Sequence, residues 1–312
     1  MPSRHSRRLS SRLIGFLLTA GGAVLFSLKA IVVKLSYHYP VDAVTLQTLR
    51  MVLAVPIYLL VALWLLRGER RTALSARQWL AVAALGLCGY YLASILDLMG
   101  LRYVSAGLER LILYVYPTLV LLFGWLLFGR RVRPAELVAV AVCYAGVAVV
   151  FAEDLRLYSA DVLLGGLLVF GSAAAYALFM VGSGRLIPAV GAMRFTCYAM
   201  TAAGIGVTAH FLLARPLDVL ALPAPVYGLS ALLAVACTAV PSFMLAAGVG
   251  RIGAEQAALV GMVGPASTLV FGYLLLDEPI TPVHLLGTAL ILGGVIYLGL
   301  DKPKPARAGS AA

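Results

Sequence analysis

The chain has 312 residues, of which 62% are hydrophobic and only 12% are charged. Soluble domains carry about a quarter charged residues and fewer than half apolar ones, so this composition excludes a soluble monomer and predicts that the solvent is lipid. The formal net charge of +11 does not indicate nucleic-acid binding, because the basic residues stand in short clusters between long apolar runs rather than in one stripe.

Ten apolar runs are long enough to cross a bilayer, which requires about 20 residues per helix. The first follows MPSRHSRRLSSR; it is longer than the apolar core of a signal peptide and lacks a small-residue cleavage site, so it is predicted to remain as a membrane helix. Short connections with breakers such as Tyr39-Pro40 and Arg133-Pro134 separate the runs. In chain order the predicted spans are 13–35, 42–66, 79–100, 105–128, 135–152, 162–182, 192–213, 225–249, 253–276 and 281–300.

The distribution of basic residues predicts the orientation. With the N-terminus in the cytoplasm, seventeen Lys and Arg residues of the tails and loops fall inside, and only Arg102, Arg156 and Arg215 fall outside. The outer connections collect acids instead. Both termini are therefore predicted to be cytoplasmic, as short tails at 1–12 and 301–312. The outer acids are Glu153, Asp154, Asp161, Asp218, Asp277 and Glu278.

The chain also matches itself without a gap when it is shifted by 148 residues. VYPTLVLLFGWLLFG, from Val115, lies over VGPASTLVFGYLLLD, from Val263, so that Pro117 meets Pro265 and Gly124 meets Gly272. Matched prolines and glycines in register indicate an internal repeat. Because each copy holds five helices, an odd number, the second must insert upside down. The prediction is an all-α membrane protein with two inverted-topology repeats, 13–152 and 162–300, an arrangement typical of secondary transporters.

Several segments carry a resemblance to a known family. KAIVVKL, Arg50 in the second span, SAGLERLILYVYPTLVLLFGWLLFG and the ending DEPITPVHLLGTALILGGVIYLG are similar to the drug/metabolite transporter superfamily, in particular its EamA-type branch. The resemblance covers nearly the whole chain. It implies ten helices, a central cavity lined mainly by the first four helices of each repeat, and export of metabolites. The chain departs from the family in having Gly129-Arg130 where a Gly-Glu pair is common.

Ionisable residues inside apolar spans are costly and usually face a cavity or a partner. Lys29 is predicted either to attract an anionic group in the cavity or to snorkel or pair with a structural acid. Lys34 is closer to the outer end, where snorkelling is easy. For Arg50 two interpretations are open: contact with the substrate and a stabilising ion pair.

The acids inside the spans have the same two interpretations. Asp97 and Glu109 are predicted to pair with Arg102, Arg110 or Arg50, or one of them titrates and couples transport to protons, because a carboxyl group in a low dielectric has a raised pKa. Glu255 is expected to sit at a helix start, where an acid meets the helix dipole favourably.

Prolines and aromatic rings complete the predicted site. The mid-span prolines Pro117, Pro241 and Pro265 break their helices, either beside a midplane site or merely to shape packing. Aromatic side chains either line a cavity for a ring-bearing substrate or face lipid and the interface. The rings predicted for the cavity are Tyr90, Tyr114, Tyr176 and Phe179.

Other function classes fit the sequence less well. An intramembrane enzyme would need a catalytic set, yet the four histidines lie at termini, loops or span ends, and no HExxH, GxSxG or Walker A pattern occurs. A gated channel or uniporter-like pore stays as the alternative, without a re-entrant filter segment to support it. No cofactor, metal site or catalytic residue is predicted. The expected partners are a small-molecule substrate and the bilayer of a prokaryotic inner membrane; a monomer suffices and a homodimer is allowed.

Overall fold

A computed structural model describes residues 4–68, 74–129, 133–158 and 161–300. In these ranges the regular structure is entirely helical. The helices are α1 Arg4–Ser36, α2 Ala43–Gly68, α3 Ala76–Gly86, α4 Ala93–Gly100, α5 Ala106–Leu113, α6 Tyr116–Phe128, α7 Pro134–Leu157, α8 Val162–Val190, α9 Ala192–Ala214, α10 Ala224–Ala234, α11 Val240–Ile252, α12 Ala254–Gly261, α13 Val263–Leu276 and α14 Pro282–Leu300.

Nine helices in the described ranges are long and apolar enough to cross a membrane. The tenth predicted span falls on α14, whose apolar part, Pro282–Tyr297, is shorter than the others. Large apolar side chains cover the outside of the bundle; Leu80 is 72% exposed and Leu213 is 89% exposed. Because water would not tolerate so much contiguous apolar surface, this exterior is suited to lipid, and the chain is a multi-pass membrane protein.

Two membrane helices contain a π-helical segment. Leu87–Leu92 joins α3 to α4, and Val235–Ala239 joins α10 to α11, so that each pair forms one continuous span. A π-helical turn widens the helix by one residue and is found mainly where a site requires it. These two turns begin 148 residues apart, the same distance as the sequence repeat.

Other elements recur at the same spacing. Helices α3 and α10 begin at Ala76 and Ala224, and helices α5 and α12 begin at Ala106 and Ala254. Helices α6 and α13 end in residues with a left-handed backbone, Gly129 with φ +63° and Asp277 with φ +54°.

The last helices of the two halves, α7 and α14, pack directly against each other at glycines. A Cβ on Gly146 would lie 2.8 Å from the carbonyl oxygen of Gly287 and 2.8 Å from Ile291. A Cβ on Gly294 would lie 2.5 Å from Cys143 and 3.0 Å from the carbonyl oxygen of Ala139. Shifting either set by 148 residues gives the other, so the contact is reciprocal. Helices this close need a residue without a side chain at the crossing.

Between the halves, helices pack in corresponding pairs. Helix α1 packs on α11 and α13, while α8 packs on α4 and α6; α2 packs on α9. The core of the bundle is therefore formed between the first-half and second-half helices, and any site at its centre receives side chains from both.

The ends of the bundle differ in charge. We call one the acidic end; it is formed by the connections 37–42, 101–105, 215–223 and 277–281, by Tyr158 and Asp161, and by the helix ends beside them, and it carries the predicted outer acids. Contacts join these connections to each other, among them a hydrogen bond from Arg215 to Asp42 at 3.4 Å.

Parts of the sequence prediction fall outside the described residues. These are the C-terminal tail 301–312, the basic residues Arg70, Arg71, Arg130 and Arg131, and the side chain of Glu255 with its expected capping role. Helix α1 begins at Arg4, nine residues before the predicted span, although its apolar membrane segment begins at Arg12.

Candidate functional site

Five charged side chains from four helices form a buried cluster on the side of the bundle centre that faces the acidic end. They are Lys29 of α1, Arg50 of α2, Asp97 of α4, and Glu109 and Arg110 of α5. Ser105 positions the last two by capping α5; its Oγ accepts a hydrogen bond from the Leu108 amide at 3.0 Å. All five are residues that the sequence singled out, and the structure brings them together.

Lys29 and Asp97 form an ion pair that ties α1 to α4. Asp97 is only 1% exposed, and its Oδ1 atom has no hydrogen-bond partner. The sequence analysis allowed an acid as the partner of Lys29, but the partners that it predicted for Asp97 were all arginines. The cation that pairs with Asp97 is the lysine, which reaches from α1 to the carboxylate on α4.

Glu109 is fully buried, and its carboxyl group meets that of Asp97 rather than a basic donor within hydrogen-bond distance. The Arg110 Nε lies 3.9 Å from Oε2, at the outer limit of an ion pair. Asp97 and Lys29 are the other charged groups that act on it. Two carboxyl groups that interact in a low dielectric repel each other when both are ionised.

Arg110 joins the two halves of the chain. Its Nη2 donates to the carbonyl oxygen of Phe26 at 2.7 Å, and its Nε donates to Thr268 Oγ1 at 3.2 Å. Thr268 belongs to α13, so this arginine fastens α5 to α1 and to a second-half helix. Sequence reasoning missed Thr268, which has no charge to mark it.

Arg50 is 5% exposed, and its Nε and Nη1 atoms have no hydrogen-bond partner. The polar groups that act on it are Tyr58, Asp97 and Cys237. Tyr58 is itself held by the second half, because its hydroxyl lies 2.9 Å from Ser242 Oγ. Sequence reasoning missed Tyr58, although its position two turns after Arg50 places both on one face of α2.

Aromatic rings form a wall beside the charged cluster. Tyr90 packs on Phe179 with centroids 4.8 Å apart, Tyr176 packs on Phe179 at 5.7 Å, and Tyr116 packs on Tyr176 at 5.3 Å. The rings come from three different spans and meet inside the bundle, so the structure places Tyr90, Tyr176 and Phe179 inward rather than toward lipid. We call Tyr90, Tyr114, Tyr116, Tyr176 and Phe179 the aromatic wall.

Tyr114 connects this wall to a break in the ninth span. Pro265 has no amide hydrogen and cannot bond the carbonyl oxygen of Gly261 one turn earlier, and that oxygen instead accepts the Tyr114 hydroxyl at 2.7 Å. Pro117 and Pro241 likewise lie in the first turns of α6 and α11, directly after a break and a π-helical segment. All three predicted helix-breaking prolines thus lie where their spans change geometry.

A second set of charges closes the acidic end above the cluster. Lys34 lies one and a half turns beyond Lys29 on α1, and its Nζ is 2.7 Å from Glu278 Oε1 and 2.8 Å from the carbonyl oxygen of Val104. Glu278 also accepts the Ala106 amide at 3.0 Å, capping α5. We call Lys34 and Glu278 the latch. Lys34 is therefore paired rather than simply snorkelling.

A buried pair formed by a histidine and an aspartate lies next to the latch. His284 Nε2 lies 3.1 Å from Asp154 Oδ1, and Asp154 Oδ2 accepts the Ser105 amide at 3.2 Å. These contacts join α7 and α14 to the start of α5. An open cleft of about 490 Å³ lies outside the latch, with Lys34, His38 and Glu278 in its wall.

Asp42 caps α2 at the same end. Its Oδ1 accepts the Val44 amide at 2.9 Å, and its Oδ2 accepts the Thr45 hydroxyl at 2.6 Å. Partial burial raises the pKa of this carboxyl, but hydrogen bonds from Thr45, Arg215 and Val44 outweigh burial and hold the pKa below its ordinary value. Asp42 is therefore ionised at neutral pH.

Within the described ranges no group of three or more His, Cys, Asp or Glu side chains is placed to hold a metal ion. The cluster instead offers both unpaired donors, on Arg50, and unpaired acceptors, on Asp97 and Glu109. Chemically, this arrangement is suited to binding a small polar or charged molecule among helices of both halves.

The EamA-like transporter family matches the chain twice, over residues 13–152 and 163–300. The chain belongs to the EamA-like transporter family. Each of the two matched segments contributes to the site: the first supplies the five charges, and the second supplies Thr268, Ser242 and Phe179.

Curated relatives of this EamA-family chain are described as transporters. It is 30% identical over 314 residues to YcbK of Bacillus subtilis (strain 168), an uncharacterized transporter, with 96% of this chain and 95% of the relative covered. It is 20% identical over 243 residues to YetK of the same organism, also an uncharacterized transporter, covering 75% and 72%. Membership and relatives together identify a membrane transporter.

A crystal structure of another protein has the same fold. It aligns with a TM-score of 0.62 at 19% identity and covers 93% of this EamA-family chain and 96% of its own. At this identity the likeness concerns the fold alone.

Proposed function

We propose that the protein is a secondary transporter that exports small metabolites, such as amino acids or organic anions, by alternating access around the buried cluster. The observation that carries the proposal is the position of that cluster: ionisable groups of the first half lie at the contact with second-half helices, where Arg110 bonds Thr268. Intramembrane charges at such an interface are typical of a substrate or ion pathway.

We further propose that the chain spans the membrane ten times as two inverted repeats, 13–152 and 162–300. The spacing of 148 residues between corresponding helix starts, π-helical turns and left-handed helix ends supports the repeat. Inversion is supported by the reciprocal packing of Gly146 and Gly294. When two halves are related by a two-fold axis and a residue i of one half contacts a residue j of the other, the counterparts of i and j also contact each other.

The proposed orientation places the acidic end outside and both termini in the cytoplasm of a cell (inner) membrane. The excess of basic residues in the opposite connections supports it. In this orientation the latch is an outer gate: Lys34 belongs to the first half and Glu278 to the second, so opening that end must separate them.

Asp97 and Glu109 are proposed as the coupling groups. Their closeness means that movement of Lys29 away from Asp97 would change the charge balance of the pair, and a proton could be taken up or released in response. Lys29 would then connect substrate entry to protonation. The export direction comes from the family resemblance rather than from the geometry.

Counterflow in proteoliposomes tests the proposal. Vesicles containing the purified protein are loaded with an unlabelled mixture of amino acids and organic acids, and accumulation of the corresponding labelled solutes is followed. A carrier accumulates label transiently against its gradient and saturates. A gated pore, the alternative function, gives linear, non-accumulating flux. Pore-like flux would refute alternating access, and flux equal to that of protein-free vesicles would refute transport of these solutes.

A further inference from the structure

Arg50 differs from the other cations of the cluster because two of its three nitrogens, Nε and Nη1, have no hydrogen-bond partner in the described part of the chain. Lys29 is paired with Asp97, and Arg110 donates to Phe26 and Thr268. Arg50 is more deeply buried than either, yet its Nε and Nη1 atoms are unsatisfied. A buried charge without a partner costs several kcal/mol, so an arginine kept in this state indicates that a ligand completes it.

The charge of the cluster points to the sign of that ligand. At full ionisation Lys29, Arg50 and Arg110 outnumber Asp97 and Glu109 by one positive charge, and a proton on either acid raises the excess to two. The residues 148 positions later provide no compensation, since they are apolar or uncharged. A ligand with one negative charge at Arg50 would reduce this positive excess by one. A zwitterion would leave the surplus in place, and a cation would add to it. The counterparts are Ala177, Tyr198, Leu245, Ala257 and Ala258.

The chemistry of the guanidinium narrows the ligand further. Its planar fork matches a carboxylate, which can accept two hydrogen bonds from it. Besides Asp97 and Cys237, the group that acts on Arg50 is Tyr58, and Tyr58 belongs to the same apolar cluster as Tyr90, at the edge of the aromatic wall. Tyr90, Tyr114 and Tyr176 are only partly buried although they lie inside the bundle, so they can receive an apolar group.

We infer that Arg50 binds the carboxylate of a monoanionic substrate whose apolar body packs on the aromatic wall. This inference rests on the proposed transport function, of which it names the substrate class. It assigns the binding to Arg50 rather than to Lys29, because Lys29 already has its counter-ion.

The test measures thermal stabilisation of the detergent-purified full chain by four compounds of nearly equal shape: phenylacetate, phenylacetamide, phenylalanine and phenethylamine. A ligand of the native state raises the melting temperature with increasing concentration. We expect stabilisation by phenylacetate and much less by the neutral amide or the amine. Arg50→Gln should weaken phenylacetate binding at least about tenfold. Arg50→Lys, which keeps the charge without the fork, should fall between. Arg156→Gln, at a side chain that is 79% exposed, should bind as the wild type does.

The inference is overturned if phenylacetamide stabilises the protein as well as phenylacetate does, or if Arg50→Gln binds phenylacetate unchanged. It is also overturned if phenylalanine is the one compound of the four that binds, which would indicate a zwitterion site. The same holds if no carboxylate in a series from acetate to indole-3-acetate raises the melting temperature. Should Arg50→Gln not fold, the Arg50→Lys variant and the ligand series on the wild type decide. Saturable counterflow of only neutral or cationic solutes would refute the anion site while leaving the transporter standing. Phenylacetate binding without any counterflow would refute the proposed transport function and leave the anion site supported.

Discussion

Neutralising Glu278 should open the acidic end of the bundle. In the structure Glu278 pairs with Lys34 at 2.7 Å and accepts the Ala106 amide at 3.0 Å, and the two latch side chains are 12% and 23% exposed. Glu278→Gln keeps the size of the side chain and an oxygen for the amide, so it removes chiefly the charge. The variant therefore isolates the ion pair from the capping of α5.

The expected size of this effect follows from the distance between Lys34 and Glu278. At 2.7 Å and an effective dielectric constant of about 20, the Coulomb attraction is about 6 kcal/mol. Desolvation of both partners offsets much of it, and hydrogen bonds to charged groups contribute about 1.5–3 kcal/mol net. Since 1.4 kcal/mol is a factor of ten, the ratio of open to closed forms should rise about 10-fold to 150-fold.

The assay is thiol labelling of Ser105→Cys, introduced into a chain whose four native cysteines are replaced by alanine or serine. Ser105 is 3% exposed beneath the latch, so a membrane-impermeant maleimide should label it slowly. Glu278→Gln should increase the rate by at least tenfold. The matched control is Glu153→Gln, which removes a 3.7 Å pair with Arg156, a side chain 79% exposed; such pairs contribute about 0–1 kcal/mol. Equal labelling rates in wild type and Glu278→Gln would refute the gating role of the latch.

Three further predictions concern packing, charge and pH. Gly294→Ala should cost about 1–3 kcal/mol of stability, because its Cβ would lie 2.5 Å from the sulfur of the facing cysteine, whereas Gly293→Ala, with nothing within 4 Å, should leave the melting temperature unchanged; equal melting temperatures would contradict this helix contact. Lys29→Met should cost about 3–5 kcal/mol by leaving Asp97 unpaired, and the double variant with Asp97→Asn should recover most of it; a double variant as unstable as the single one would argue against the pairing. Asp42→Ala should lower stability by about 1 kcal/mol at pH 7 through loss of the α2 cap. Since the folded pKa of Asp42 is depressed, its ionic contribution is present above the unfolded pKa of about 3.9 and is lost as the pH falls through the folded value, so wild-type and variant melting curves should converge in acid; a constant difference would disprove the linkage.

The sequence predicted the membrane helices well because each apolar run must be about as long as the bilayer is thick. It was less successful at helix ends. The sixth span, predicted to end at residue 182, continues as a helix to Val190 through Arg185 and Pro188. Hydropathy reports which residues suit lipid, whereas the helix ends where backbone hydrogen bonding stops, and the two need not coincide.

The candidate site could likewise be predicted only in part. Charged residues in apolar runs were conspicuous, and the structure brings Lys29, Asp97, Glu109 and Arg50 together. Their pairing could not be read from the sequence, because it depends on which helices are adjacent and at what depth. The π-helical turn at Leu87–Leu92 was also unforeseen, since it arises from packing rather than from local propensity.

The reciprocal contact between α7 and α14 has a consequence for the origin of the fold. Gly146 faces Gly287 and Ile291, while Gly294 faces Ala139 and Cys143, so the same surface patch meets itself across the contact. An interface of this isologous kind is what two identical chains form when they associate as a dimer. A single half-length ancestor would have carried the whole surface it needed to pair with a copy of itself, and fusing two such genes would have preserved an association that already existed.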